Sequence, residues 1–119
     1  MHPRSFRDLE VWQLSKELAK CVYHATLTYP YMHRIEIGSQ MRRASVSVAS
    51  NIAEGYRQRS RHAYARYLNI AAGSNAELET QLDLVRELGI GDPEGVSEMA
   101  ALCHRVGRML NALVSRLES

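Results

Sequence analysis

Apolar residues along the chain recur every three or four positions, which is the period of an amphipathic α-helix. Four segments show this pattern. The first begins after a capping-box sequence at Ser5-Phe6-Arg7-Asp8 and should end near Tyr29, because the residue before a proline avoids the helical region. Its apolar row consists of Val11, Leu14, Leu18, Cys21 and Ala25.

The next two segments are separated by a short polar stretch. The second should begin between Ile35 and Gly38, with Gly55 as a left-handed cap after its last residue. The third should begin after Ser60, a good N-cap, and end at Gly89. The two apolar rows are Ile37, Met41, Ala44, Val48, Ile52 and Tyr64, Leu68, Ala71, Asn75, Leu78, Leu82, Val85.

The last segment is introduced by Asp92 and Pro93, which suit the N-cap and the first residue of a helix. No segment alternates with the period of two that is typical of strands. We therefore predict an all-α fold, an antiparallel up-and-down four-helix bundle, as one domain spanning residues 1–119. The apolar row of the fourth helix is Val96, Met99, Cys103, Val106, Leu110, Leu113 and Leu117.

The composition changes this picture little. Hydrophobic residues make up 45% and charged residues 24%, which is typical of a globular protein. The two cysteines form no CxxC pair, and no apolar stretch has the length of a signal peptide or a membrane span. These features predict a cytoplasmic protein.

The distribution of charge is more informative than the net charge of +2. Arginines dominate from Arg34 to Arg66, and acids dominate from Glu77 to Glu98. An arginine cluster can bind phosphates bidentately, and neighbouring tyrosines can stack on bases. Alternatively, the basic half of one copy faces the acidic half of the next. The nucleic-acid-binding candidates are Arg57, Arg59, Arg61 and Arg66.

Three positions in the middle helices need a partner or an explanation. Glu54 lies at the negative end of a helix dipole, and Arg57 and Arg61 are the nearest candidates to neutralise it. Gly73 lies inside the third helix, where glycine is unfavourable, so it should allow close packing within the chain or against another copy. Asn75 is a polar residue on an apolar row, where such residues fix register.

The chain resembles the four-helix-bundle proteins encoded in intervening sequences of bacterial 23S rRNA genes. The resemblance is carried by FRDLEVWQ at residues 6–13, RRASVSVASNIAEGYRQRS at residues 42–60 and AAGSNAELE at residues 71–79. Between Pro30 and Gln40 the chain departs from the family, with His33 in place of a glutamate and Glu36 in place of a glycine.

This resemblance implies a homo-oligomer, typically a pentameric ring of antiparallel bundles. Similar bundles are accessory subunits of reverse transcriptases in diversity-generating retroelements, where a basic ring surface engages polymerase and nucleic acid. Arg42, Arg43, Glu77 and Glu79 would then form ion pairs within or between chains, and Asn51 would satisfy polar groups at the bundle end. The family pattern falls on Gln40, Arg42, Arg43, Asn51, Glu54, Gly55, Gly73, Ser74, Glu77 and Glu79.

No catalytic, metal or cofactor site is predicted. The histidines have no ligand spacing, and Cys103 and His104 diverge on their helix. We expect a non-enzymatic homo-oligomer, a pentamer by its resemblance, whose basic surface binds nucleic acid, RNA rather than DNA. The alternative is a ring-shaped adaptor that docks a protein partner such as a polymerase without touching nucleic acid.

Overall fold

The computed structural model describes residues 5–119, and this part of the chain folds as a four-helix bundle. A single 3₁₀ turn, Phe6–Asp8, precedes the first helix. The helices are α1 (Glu10–Leu27), the short α2 (Tyr31–Ile35), α3 (Ile37–Tyr56), α4 (Arg61–Leu88) and α5 (Pro93–Glu118).

The caps predicted for α4 and α5 are confirmed. The Ser60 hydroxyl accepts a hydrogen bond from the Ala63 amide at 3.0 Å, and Asp92 Oδ2 accepts one from the Gly95 amide at 3.1 Å. Gly89 closes α4 in the left-handed conformation, with φ of 69°. These contacts satisfy amides and carbonyls that a helix end leaves unpaired.

Two predicted helix ends are wrong. Ser5 caps the 3₁₀ turn rather than α1, which begins after Leu9 without a side-chain cap. Gly55 is not a cap, because α3 continues to Tyr56 and Gly55 lies buried within it. A β-carbon at Gly55 would lie 2.9 Å from Tyr67 Cβ, so glycine is required there for the close approach of α4.

The apolar rows predicted for α3, α4 and α5 form the core, with their outermost members half-buried. In α1 the buried face is rotated by about one position, so that Ser15, Val22 and Thr26 are fully buried. The two hydroxyls satisfy themselves locally: Ser15 donates to the Trp12 carbonyl at 2.9 Å and Thr26 to the Tyr23 carbonyl at 3.4 Å. Because Ser15 and Thr26 are polar, the spacing of apolar residues alone does not identify the buried face of α1.

The register between α3 and α4 is set by paired serines. Ser47 Oγ lies 2.8 Å from Ser74 Oγ, which places Arg43 and Glu77 in the same groove. The close approach of the helices at Gly55 fixes this level. The pairing is consistent with the expected antiparallel up-and-down order.

The bundle measures 44 × 22 × 21 Å and has two different ends. At one end Arg61, in the first turn of α4, reaches the last carbonyls of α5. At the other end Tyr29, after α1, packs against Gly91 between α4 and α5. Within residues 5–119, no helix combines the length and apolarity needed to cross a membrane.

Candidate nucleic-acid interface

The turn between α3 and α4 concentrates positive charge at one end of the bundle. We call this region the arginine end, and define it by Arg57, Arg59, Arg61 and Arg66. Arg57 and Arg59 are exposed in the turn, and the Arg66 guanidinium lies over the Tyr67 ring, 5.2 Å from its centroid. Among residues 5–119 no ion pair involves Arg57, Arg59 or Arg66. These three cations therefore have no ion-pair partner among the described residues, and the exposed Glu54 carboxylate lies at the same end.

Arg61 has a different role from its neighbours. Its Nη2 donates to the Arg116 carbonyl at 2.8 Å, and its Nε donates to the Leu117 carbonyl at 3.3 Å. Cations at the negative end of a helix dipole are stabilising. Arg61 thus caps α5, and fewer of its donors remain for a ligand.

Glu54 is exposed near the end of α3 and forms no ion pair within the described residues. The bonds at this turn go to its backbone carbonyl, which accepts from the Arg57 amide at 3.3 Å and from Gln58 Nε2 at 3.1 Å. The prediction that Arg57 or Arg61 neutralises this carboxylate within the chain is therefore wrong.

Aromatic rings accompany the cations at the arginine end. Tyr56 and Tyr64 pack edge to face with centroids 6.2 Å apart. Burial raises the pKa of Tyr64, and the nearby Tyr56 raises it further. A groove of about 360 Å³ opens beside them, lined by Ser5, Phe6, Arg7, Tyr56 and Arg57.

A second, polar groove of about 370 Å³ runs between α3 and α4. Arg43 and Glu77 lie in it without forming an ion pair with any described residue. Glu77 Oε2 accepts instead from Gln81 Nε2 at 3.3 Å. We call this surface the α3–α4 face; its groove is lined by Gln40, Arg43, Ala44, Ser47, Ser74 and Glu77.

Two further family-pattern residues lie near this face. Asn51 Nδ2 donates to the Ser47 carbonyl at 2.9 Å and to Ser47 Oγ at 3.1 Å, so its amide is bonded to its own helix. Gly73 is exposed, and a β-carbon there would have nothing within 4 Å. Close packing within this chain therefore does not explain Gly73.

Arg42 and Glu79 lie on other sides of the bundle. Arg42 faces α1, where its Nη1 donates to Thr26 Oγ1 at 2.9 Å and its Nη2 to the Arg34 carbonyl at 3.2 Å. Glu79 is exposed toward α5, near Gly107. Neither forms an ion pair within residues 5–119, so the predicted pairing is absent within this chain.

The bundle interior holds one polar pair. Asn75 Nδ2 donates to the Cys103 carbonyl at 2.9 Å, and Cys103 Sγ lies 3.2 Å from Asn75 Oδ1. Burial, with the charge of Glu79, raises the pKa of Cys103 to about 12, so the thiol is a hydrogen-bond donor and not a nucleophile. Within the described part of the chain no group of three histidine, cysteine or acidic side chains is placed to hold a metal ion.

The local sequence does not reveal the role of Arg61, since its two acceptors lie more than fifty residues away. The apolar rows of the sequence also gave no indication that the exposed Lys16 and the half-buried Arg34 lie over rings of α1 and α2. The 4-3-4 spacing of Trp12, Lys16, Ala19 and Tyr23 on one helix face would have revealed part of that arrangement.

Comparisons with known proteins agree with this architecture. The family described as 23S rRNA-intervening sequence protein matches residues 7–112. A crystal structure from Bacteroides thetaiotaomicron, described as a protein with unknown function from the S23 ribosomal protein family, superposes with a TM-score of 0.77. It is 21% identical and covers 87% of this chain and 97% of its own. No curated protein gives a match.

Proposed function

This chain belongs to the 23S rRNA-intervening sequence protein family, and we propose that it acts as a non-enzymatic, homo-oligomeric nucleic-acid-binding protein. The subunit is an antiparallel up-and-down bundle that assembles into a ring, a pentamer by the resemblance. Its arginine end contacts the phosphates of RNA in preference to DNA.

One observation supports nucleic acid as the ligand. At one end of the bundle are Arg57, Arg59 and Arg66, and none of them forms an ion pair among residues 5–119. Guanidinium groups bind phosphate bidentately, and uncompensated cations on a surface attract polyanions. The half-buried rings of Tyr56 and Tyr64 lie beside them and offer stacking surfaces.

The α3–α4 face supports self-association. It brings an unpaired cation, Arg43, and an unpaired anion, Glu77, into one groove beside the open position at Gly73. The exposed side chains of Val46 and Ile70 belong to the same two helices. A surface with small, apolar and oppositely charged residues that the subunit does not use itself suits contact with another copy.

Titration of a labelled single-stranded RNA at several salt concentrations tests the ligand. We expect affinity to fall steeply with salt, with a slope of about −0.7 for each phosphate contacted on a single strand. The double variant Arg57→Ala/Arg59→Ala should lower both the affinity and this slope. Arg86→Ala is the matched control, because Arg86 is an exposed arginine already paired with Asp83.

Absence of binding by the wild-type protein at low salt would contradict the nucleic-acid function. So would an equal loss of affinity in the double variant and in Arg86→Ala, since the arginine end would then have no special role. The same strand made as DNA measures the preference for RNA.

A protein-docking adaptor is the second candidate, and a specific observation favours it. Leu27, Tyr31, Met32, Ile35 and Leu88 are exposed apolar residues, each at least 47% accessible, at or near the end of the bundle opposite the arginine end. Exposed apolar side chains concentrated at one end of a molecule suit a protein contact. Failure of RNA binding, together with loss of partner capture in Met32→Ser, would make this the function.

A further inference from the structure

A row of aromatic rings, each with a cation near it, runs beside the buried row of α1, and Trp12 also packs partly against the core. Before α1, the Arg7 guanidinium lies 4.7 Å from the Phe6 ring centroid. The Phe6 ring packs edge to face on Trp12 at 5.2 Å, and Lys16 Nζ lies 5.1 Å from the Trp12 centroid. Three aromatic–cation or aromatic–aromatic contacts thus follow one another at the start of α1.

The arrangement continues at the far end of α1. The Arg42 guanidinium lies 5.9 Å from the Tyr23 ring, and the Arg34 guanidinium lies 5.6 Å from the Tyr31 ring. The hydrogen bond from Arg42 Nη2 to the Arg34 carbonyl joins the two pairs. We call the rings of Phe6, Trp12, Tyr23 and Tyr31, with the cations over them, the cation–aromatic stripe.

The sequence places the middle of the stripe on one face of α1. Trp12, Lys16, Ala19 and Tyr23 are spaced four, three and four residues apart, which aligns them along a helix. This row lies beside the buried row that contains Leu18 and is not part of it. Tyr23 is 45% exposed and Tyr31 is 60% exposed, so burial does not account for the choice of aromatic residues.

The cations of the stripe are not paired with acidic side chains of the described residues. None of Arg7, Lys16, Arg34 and Arg42 forms an ion pair with a described residue. Arg42 is half-buried, yet its hydrogen bonds go to neutral oxygens of Thr26 and Arg34. Its guanidinium is therefore fixed in position without being neutralised.

The neighbouring acids are engaged elsewhere or exposed. Glu10 is held by Arg105 at 2.9 Å, and Glu17 is 3.7 Å from Lys20. Asp8 has a partner of its own. Glu36 is exposed between α2 and α3 and is bonded through its backbone. The four cations of the stripe thus outnumber Asp8 and Glu36, the two remaining neighbouring acids, which offset part of that charge.

We propose that the cation–aromatic stripe is a track for single-stranded nucleic acid, in which unpaired bases stack on the rings and phosphates contact the cations. Stacking on aromatic side chains combined with a basic groove is how single strands are bound without sequence preference. Trp12 and Tyr23 are eleven residues apart, about 16 Å along the helix, which is the length of about five nucleotides at 3.4 Å each. The inference rests on the proposed function for its ligand class, but on different residues.

The test compares strands of about twelve nucleotides, roughly twice the length of the track. One is an adenine strand, one an abasic strand with the same phosphates, and one the adenine strand in a duplex. We expect the adenine strand to bind about tenfold more tightly than either of the others, because only its bases can stack. The double variant Tyr23→Leu/Tyr31→Leu should remove about tenfold of that affinity and leave abasic binding unchanged.

Two lysines of α1 provide a matched control for the charge. Lys16 lies over Trp12, whereas Lys20 is paired with Glu17, and both are exposed. Lys16→Gln should weaken binding more than Lys20→Gln does. The single tryptophan, Trp12, gives an independent signal, because a stacked base should quench its emission and an abasic strand should not.

Equal affinity for the adenine and abasic strands, or for the single strand and the duplex, would overturn the track. The tyrosine variant tests it separately: normal binding there, with a loss in Arg57→Ala/Arg59→Ala, sinks the track and leaves the arginine end. The reverse result establishes the track and removes the arginine end. An adenine DNA strand run in parallel distinguishes the source, and stacking by either sugar supports the proposal.

Discussion

Asn75 is a polar side chain on the central apolar row of α4, and it is 2% exposed. One amide N–H of Asn75 donates to the Cys103 carbonyl of α5, and the Asn75 side-chain oxygen accepts from the Cys103 thiol. A buried amide without partners would cost about 1–3 kcal/mol, so α5 is favoured at the one level where Cys103 meets Asn75. Asn75 can therefore fix the register between α4 and α5 through a single residue of the facing helix, Cys103.

The Cys103 thiol makes stability depend on pH at the alkaline end. Its pKa is raised from 9.0 to about 12 in the folded chain, so between these values the unfolded chain has lost a proton that the folded chain retains. The free energy of unfolding should therefore fall as pH rises, by about 1.4 kcal/mol per pH unit from this group. Urea unfolding of the wild type and Cys103→Ala at several pH values measures the difference in slope.

Parallel slopes in the two proteins would show that the thiol is not protected. Cys21, which is half-buried, serves as the internal comparison in thiol alkylation. It should react with iodoacetamide well before Cys103 does.

At the scale of elements, α3 and α4 each contain a glycine, and the two glycines have opposite surroundings. Gly55 lies against Tyr64 and Tyr67, and Gly73 faces open space. In sequence both are glycines in or beside a predicted helix, and neither role could be read from spacing. The residue type alone does not distinguish a glycine that permits close helix packing from a glycine that caps a helix.

Alanine at each glycine should shift stability in opposite directions. Gly55→Ala should lower the free energy of unfolding by about 1–3 kcal/mol, because the new methyl group meets the Tyr67 side chain. Gly73→Ala should raise it by about 0.8–1 kcal/mol in dilute protein, because alanine favours the helix and meets nothing. Urea unfolding checks both, and a loss of stability in Gly73→Ala would contradict the open position.

The elements themselves were largely predictable from the sequence. The rows of α3, α4 and α5 are long and apolar, and Ser60 and Asp92 are strong caps, so local physics agrees with the fold at each. In α1 the prediction missed Ser15 and Thr26, because a hydroxyl bonded to its own helix can be buried without an apolar signature.

The candidate site was less predictable because it depends on contacts between distant segments. Arg57 and Arg61 look alike in sequence, yet only Arg61 meets the end of α5. Likewise Arg42 and Arg43 are neighbours, but a helix directs adjacent residues about 100° apart, so one faces α1 and the other faces α4. Charge counts along the chain identify the basic region without showing which cations remain free.

At the scale of the whole molecule, different sides of the bundle carry different sets of charged residues. The arginine end and the cation–aromatic stripe carry unpaired cations, and the α3–α4 face carries a cation and an anion together. A ring built through the α3–α4 face would leave the stripe, on the α1 side, accessible in every subunit. Assembly would then multiply the number of contacts a single strand can make.

Charge reversal tests whether Arg43 of one copy meets Glu77 of the next. Arg43→Glu and Glu77→Arg should each weaken assembly about tenfold or more, because like charges are brought together. The double variant should recover the mass of the wild type in light scattering. Arg86→Glu, away from this face, is the control.

A wild type that scatters as a monomer at micromolar concentration would remove the ring. Unchanged mass in both single variants would place the subunit contact on another face.

Tyr29 and Gly91 pack against each other at one end of the bundle, although they lie in distant segments of the chain. A β-carbon at Gly91 would lie 2.7 Å from the Tyr29 ring, and the residue also has φ of 81°, so its turn tolerates little else. The bend that leads into the final helix is thus shaped by a ring contributed more than sixty residues earlier. If α1 unfolded, the Tyr29 ring would no longer be held against this bend. The first and last quarters of the polypeptide should therefore unfold together, as one cooperative unit.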